Sequence, residues 1–109
     1  IDRDALQRRA REIGDLLVAR LAEIQKADPR VGEIRGRGAM QAIELVNPAD
    51  KAPDAGLAKA VAGYCVGQGV ATLTCGTHGN VLRFLPPLAI SDALIADAMG
   101  VLAEAFRSN

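Results

Sequence analysis

From Asp4 to about Lys26 the apolar residues Leu6, Ala10, Ile13, Leu17, Leu21 and Ile24 fall at the i, i+3, i+4, i+7 spacing of an amphipathic helix, and arginines and glutamates fill its other face. No other feature constrains the chain as strongly. An apolar stripe of that length has to be covered, so the residues that follow must build a layer for it to pack on. Asp28-Pro29 ends the stripe, because proline disfavours helical geometry in the residue before it and donates nothing to the preceding turn.

The rest of the chain alternates between strand-like and helix-like segments. Val31 to Arg35 and Ala39 to Val46 read as two short strands around Gly36-Arg37-Gly38, a spacing that suits a tight hairpin or a bulged turn. In the second, Met40, Ala42 and Glu44 alternate with Gln41, Ile43 and Leu45, which leaves one face more apolar than the other. Asn47 to Pro53 is a loop, and Asp54 is placed to cap a second helix that runs to about Gln68 with Leu57, Val61, Tyr64 and Cys65 as its buried stripe. Gly69 stands where a left-handed helix stop is commonest. Val70 to Thr74 and Asn80 to Leu85 read as two more strands, joined by Cys75-Gly76-Thr77-His78-Gly79 and stopped by Pro86-Pro87. Ser91 caps a last helix whose stripe is Ile95, Ala98, Met99, Leu102 and Phe106. The expected fold is therefore α+β, with three helices covering one face of a small, mostly antiparallel sheet, and the other sheet face open.

Composition bounds what such a layer can do. With 109 residues the chain is one small domain, large enough for a core but with little room for an enclosed site. Thirteen basic and thirteen acidic residues balance to zero net charge, which removes the general attraction that nucleic acids and anionic membranes exert. No apolar run approaches the roughly 20 residues of a membrane-spanning helix. Two cysteines make neither a disulfide framework nor a zinc site and fit a reducing, cytoplasmic setting. A chain that begins at Ile1, already inside what reads as a helix and without an initiator Met, is expected to be a piece of something longer. In that case the open sheet face or a helix flank should be apolar and pack against the missing part.

Arg83 is the residue that composition least explains. It interrupts Val81-Leu82-Arg83-Phe84-Leu85 and shares a strand face with Val81 and Leu85, near the strand's end. Its guanidinium fork suits a carboxylate held by two parallel bonds; alternatively it is an edge-strand arginine that reaches solvent or pairs with an internal Asp or Glu. Gly36 and Gly38 do not begin a dinucleotide fingerprint, since Gln41 stands where the third glycine would fall and no helix follows. Cys75 and His78 have a C-x-x-H spacing, but two ligands do not hold a zinc and no third group completes a nucleophilic site, so both read as loop residues that pack or line a cleft. Lys26, Lys51 and Lys59 all read as solvated, which argues against a Schiff-base lysine within this segment.

The stretch Leu73-Thr74-Cys75-Gly76-Thr77-His78-Gly79-Asn80-Val81-Leu82-Arg83-Phe84-Leu85-Pro86-Pro87-Leu88 closely resembles the C-terminal region of class III, pyridoxal-phosphate-dependent aminotransferases. Val31-Gly32-Glu33-Ile34-Arg35-Gly36-Arg37-Gly38-Ala39-Met40 and the closing helix from Ser91-Asp92 onward agree, so the resemblance spans nearly the whole chain in the right order. Within the class it looks most like the 4-aminobutyrate enzymes, whose T-C-G lead-in it shares; the core around the arginine also recurs in ornithine and acetylornithine aminotransferases. The resemblance implies that residues 1–109 form the C-terminal part of the small domain of a fold-type I enzyme. Such an enzyme moves an amino group from 4-aminobutyrate to 2-oxoglutarate with pyridoxal 5'-phosphate and works as a homodimer. It implies that Arg83 binds a substrate carboxylate, and that the cofactor's lysine, aspartate and phosphate ligands lie in a large domain absent from this chain. By that reading the chain alone binds no cofactor and is inactive. His78 stands where relatives often carry an aromatic residue, so no role transfers to it. The competing reading is a free-standing, non-enzymatic carboxylate-binding or interaction module.

Overall fold

A computed structural model describes residues 2–109 of the chain; Ile1, read above as already helical, lies outside the described residues. Asp2 opens the first helix, α1 (Arg3–Ala27), by accepting from the backbone N–H groups of Asp4 and Ala5. Then follow β1 (Val31–Arg37), β2 (Met40–Leu45), α2 (Ala55–Gly67), β3 (Leu73–Cys75), β4 (Val81–Phe84) and α3 (Asp92–Ser108). The four strands form one antiparallel sheet in the order β1-β2-β4-β3. This is the α+β layer the sequence implies. The helices α1 and α2 lie on the sheet, and α3 packs chiefly against those two helices.

The core is the seam between these layers. Ile13, Leu17, Leu21 and Ile24 of α1 meet Ile43 and Leu45 of β2, Leu82 and Phe84 of β4, Val61 and Cys65 of α2, and Ile95, Met99 and Leu102 of α3. The apolar stripes lie as the spacing predicts from Ile13 onward, but the first turns of α1 leave Leu6 exposed and Ala10 half-buried, Tyr64 and Ala98 are only half-buried, and Ala58 and Ala105 are enclosed. Asp54 and Ser91 cap α2 and α3 by accepting from Leu57 and Leu94.

The bounds of all four strands differ from the sequence reading, and β2 spans Met40–Leu45 rather than Ala39 to Val46. β1 continues through Gly36 to Arg37, which pairs with Met40, so the turn is Gly38-Ala39, with Gly38 at φ +56°. A two-residue hairpin favours that left-handed geometry because it matches the twist of the flanking strands. β3 starts at Leu73 and not at Val70, because Val70 completes the end of α2: its N–H donates to Cys65 at 2.8 Å while Gly69, at φ +83°, donates to Val66 at 3.0 Å. β4 covers only Val81–Phe84, and it lies between β2 and β3. The reading of Arg83 as an edge-strand arginine is therefore corrected: it stands on an interior strand.

Two arginines tie the ends of the layers together. Arg9 donates to the Ile90 carbonyl at 2.6 Å and pairs with Asp92 at 2.8 Å, which fastens α1 to the start of α3. Arg30 donates to both Asp28 carboxylate oxygens and, at 2.8 Å, to the Phe106 carbonyl, and its guanidinium lies 5.8 Å from the Phe106 ring centre. The hydrogen bonds from Arg30 hold the Asp28 carboxyl below its usual range, against the opposing effect of burial. A carboxylate lowered in this way adds stability that is fully present above its unfolded value, near pH 4, and is lost as pH falls through its folded value. Replacing Asp28 by Asn should therefore destabilise the chain by about 1 kcal/mol at neutral pH, and the gap should narrow as pH falls below about 4. Urea unfolding of both proteins at several pH values checks this; a constant gap across that range would show that the ion pair is not its source.

Candidate functional site

The pleat decides which residues reach the open face of the sheet. Leu82 and Phe84 point toward the helices and are buried, so Arg83 points the other way. Directly opposed residues of antiparallel strands share a face, and Arg35, Ala42, Arg83 and Leu73 form one cross-strand row. The row beside it runs Glu44, Val81, Cys75, and Arg37 and Met40 pair at the hairpin end.

This face is polar at its β1 edge. Arg35 bonds Glu33 at 3.2 Å and Glu44 at 3.4 Å, so both acidic groups near it are engaged. Arg83 is exposed, and among the described residues no carboxylate pairs with it. Its cross-strand neighbours are Ala42, too small to cover it, and Leu73, which has no charge to offer. A guanidinium mounted on an interior strand and flanked by uncharged neighbours can accept a planar anion edge-on through two parallel N–H bonds. Arg37, on the same face, is also exposed.

The remaining candidates separate from this site. Cys75 is half-buried on the open face, whereas His78 is exposed in the loop beyond it. Cys65 is enclosed in the core, and burial pushes its thiol above the ordinary value, which keeps it protonated and inert. No group of three or more His, Cys, Asp or Glu side chains is gathered for a metal among the described residues. Nor, among them, is any helix long and apolar enough to cross a membrane. Lys26, Lys51 and Lys59 are all exposed, as their spacing predicts.

The expectation of an apolar outer surface is met on a helix flank rather than on the sheet. An open groove of about 460 Å³ runs between α1, α3 and the segment after β4, lined by Leu17, Val70, Phe84, Pro86, Leu94 and Ala98. Leu85 and Leu94 at this flank are 70% and 57% exposed. None of the three lysines lines this groove. Sequence reasoning missed Arg9, Arg30 and the buried polar residues Gln41 and Asn80. The only signal for Gln41 and Asn80 was a polar side chain within or beside an apolar strand; Arg9, on the polar side of α1, and Arg30 carried none.

Comparison with known proteins gives this arrangement a setting. The chain is 47% identical over 104 residues to a 4-aminobutyrate aminotransferase of Mycobacterium leprae, a match covering 95% of this chain and 23% of that protein. It is 37% identical over 105 residues to a 5-aminovalerate aminotransferase of Pseudomonas putida, covering 96% of this chain and 25% of the relative. The chain thus spans about a quarter of the length of the curated relatives it matches. Among solved structures, a phospholyase from Arthrobacter in complex with phosphoethanolamine superposes with a TM-score of 0.92 at 28% identity, over 99% of this chain and 26% of that one. A family model described as Aminotransferase class-III matches residues 1–106. On that near-complete match, the chain belongs to the class III aminotransferases.

Proposed function

We propose that this chain is the C-terminal part of the small domain of a 4-aminobutyrate transaminase, which transfers an amino group from 4-aminobutyrate to 2-oxoglutarate. Its part in the reaction is to supply Arg83 as the ligand of a substrate carboxylate. The observation that carries this reading is the unpaired guanidinium on β4, beside an Arg35 whose charge is already taken by Glu33 and Glu44. Both substrates carry a carboxylate, and neither needs a basic surface if one placed guanidinium recognises it. Fixing that end of the substrate sets where the reacting end lies, and positioning of this kind can supply a large part of a rate enhancement.

The cofactor, pyridoxal phosphate, supplies the electron sink for amino transfer, and we assign its binding to the large domain of the full-length polypeptide. The active assembly is a homodimer. Its reducing, cytoplasmic location is supported by two free thiols, Cys65 and Cys75. The 47% identity to a 4-aminobutyrate enzyme favours that amino donor over ornithine or acetylornithine. With the full-length, cofactor-loaded enzyme and 2-oxoglutarate as acceptor, kcat/KM for 4-aminobutyrate should exceed that for ornithine and N-acetylornithine by tenfold or more, a gap of about 1.4 kcal/mol. Glutamate formation measures it. A preference for either ornithine compound would reassign the donor while leaving the family unchanged.

A further inference from the structure

Asn80 is one of two buried polar side chains among the described residues, at 4% exposure, and it immediately precedes the strand that carries Arg83. A buried amide is retained only where its hydrogen bonds are met, so its partners show what it fastens. Its side-chain Nδ2 donates to the Leu45 carbonyl at 2.9 Å, and the Leu45 N–H donates back to the Asn80 carbonyl at 2.8 Å. The ladder between β2 and β4 pairs Glu44 with Val81, so Leu45 and Asn80 form its next rung, closed on one side by a side chain. The Leu45 carbonyl also accepts from the Asp54 N–H at 3.0 Å, the residue that caps α2. Asn80 thereby joins the end of β2, the start of β4 and the cap of α2 at one carbonyl.

The surroundings give this rung an unusual burden. The loop that delivers the chain to β4 holds Gly76 at φ +88° and Gly79 at φ +65°, a permissive backbone on the side where β4 begins. On its other flank β4 has only the three-residue β3. The register of β4 matters more than that of most strands. A shift of one residue would turn Arg83 into the apolar layer and bring Leu82 and Phe84 to the open face. Smaller slack at the same rung would move the base of the Arg83 side chain along the sheet.

We infer that Asn80 is a positioning residue for Arg83: its side-chain amide pegs β4 to β2 and so fixes where the guanidinium stands on the open face. This rests on the reading of Arg83 as the carboxylate ligand. A short side chain with an N–H donor is required there. Aspartate has the same shape but would set a carboxylate oxygen against the Leu45 carbonyl, and alanine would leave that side of the rung open.

The test is a double-mutant cycle in the full-length, cofactor-loaded enzyme, with Asn80→Ala, Arg83→Ala and the double variant, and with Asn80→Ser, whose hydroxyl is one bond short of the amide's reach, as the second variant should Asn80→Ala not fold. Asn80→Ala should raise KM for 4-aminobutyrate and 2-oxoglutarate roughly tenfold, since small misplacements of a positioning group carry losses of that order, while kcat stays within about twofold. In the Arg83→Ala background the Asn80 substitution should add nothing, because the group it positions is gone. A merely structural role would instead lower the yield or melting temperature and act equally with or without Arg83. Full additivity, or unchanged KM in both Asn80 variants, overturns the proposal while leaving Arg83 as the ligand. If Arg83→Ala itself leaves both KM values unchanged, the carboxylate reading fails, and this inference fails with it.

Discussion

Replacing Arg83 by Ala in the full-length enzyme is expected to lower kcat/KM for both 4-aminobutyrate and 2-oxoglutarate by roughly 30- to 1000-fold, about 2 to 4 kcal/mol, while the protein folds as before. The magnitude follows from losing a forked, charge-assisted contact, each bond of which contributes about 1.5 to 3 kcal/mol with strong non-additivity. The absence of a folding penalty follows from exposure, since Arg83 has no partner among the described residues and surface substitutions of that kind stay within about 0.5 kcal/mol. Arg83→Lys should recover only part of the loss, because an ammonium keeps the charge and not the fork. Steady-state kinetics with each substrate varied in turn, beside a thermal melt, separates these effects. Unchanged kinetics for both substrates would remove the assignment of Arg83.

The second large effect concerns stability and reverses a usual expectation. Glycine inside a helix is ordinarily worse than alanine by about 0.5 to 1 kcal/mol, so Gly14, in the middle of α1, looks like a site to improve. A Cβ there would stand 2.2 Å from the Gly38 carbonyl oxygen and 2.9 Å from its carbon. Gly38 has little freedom to retreat: it forms the hairpin turn at φ +56°, and the buried Gln41 side chain donates to its carbonyl at 2.9 Å. Gly14→Ala is therefore expected to destabilise the chain by about 2 to 3 kcal/mol, as overpacking against backbone does. Gly63, in α2, meets nothing within 4 Å, and Gly63→Ala should stabilise by about 0.5 to 1 kcal/mol. Urea denaturation of the two variants and the parent measures both signs together. A Gly14→Ala protein as stable as the parent would mean that the helix and the hairpin do not touch here.

These two residues also show what was legible in the sequence. Arg83 stood out because a charge interrupts an apolar strand, and the alternation Val81-Leu82-Arg83-Phe84 sufficed to assign its face. The helices were legible for a related reason: their stripes, and caps such as Asp54 and Ser91, are local signals that tertiary packing had no cause to override. Gly14 carried no such signal. Its role depends on Gly38, which a distant element brings to it, and periodicity within α1 contains no trace of that neighbour. The same holds for strand order. Nothing near Arg83 in the chain states that β4 lies between β2 and β3, so its interior position emerged only from the pairing. Arg30 was equally silent, because the Phe106 carbonyl and ring that it grips lie at the far end of the chain.

The interior position of β4 has a thermodynamic consequence for recognition. With strands hydrogen-bonded on both sides, the backbone at Arg83 is already ordered before any anion arrives. If Arg83 is the carboxylate ligand proposed above, docking freezes the rotamers of one long side chain, a loss of about 2 kcal/mol, and little else in this part of the protein. That loss is the same for every carboxylate, whatever the length of the chain behind it. A mount of this kind tells anion from non-anion and holds the anion at one fixed point, so the length of the ligand behind it decides where its other end falls.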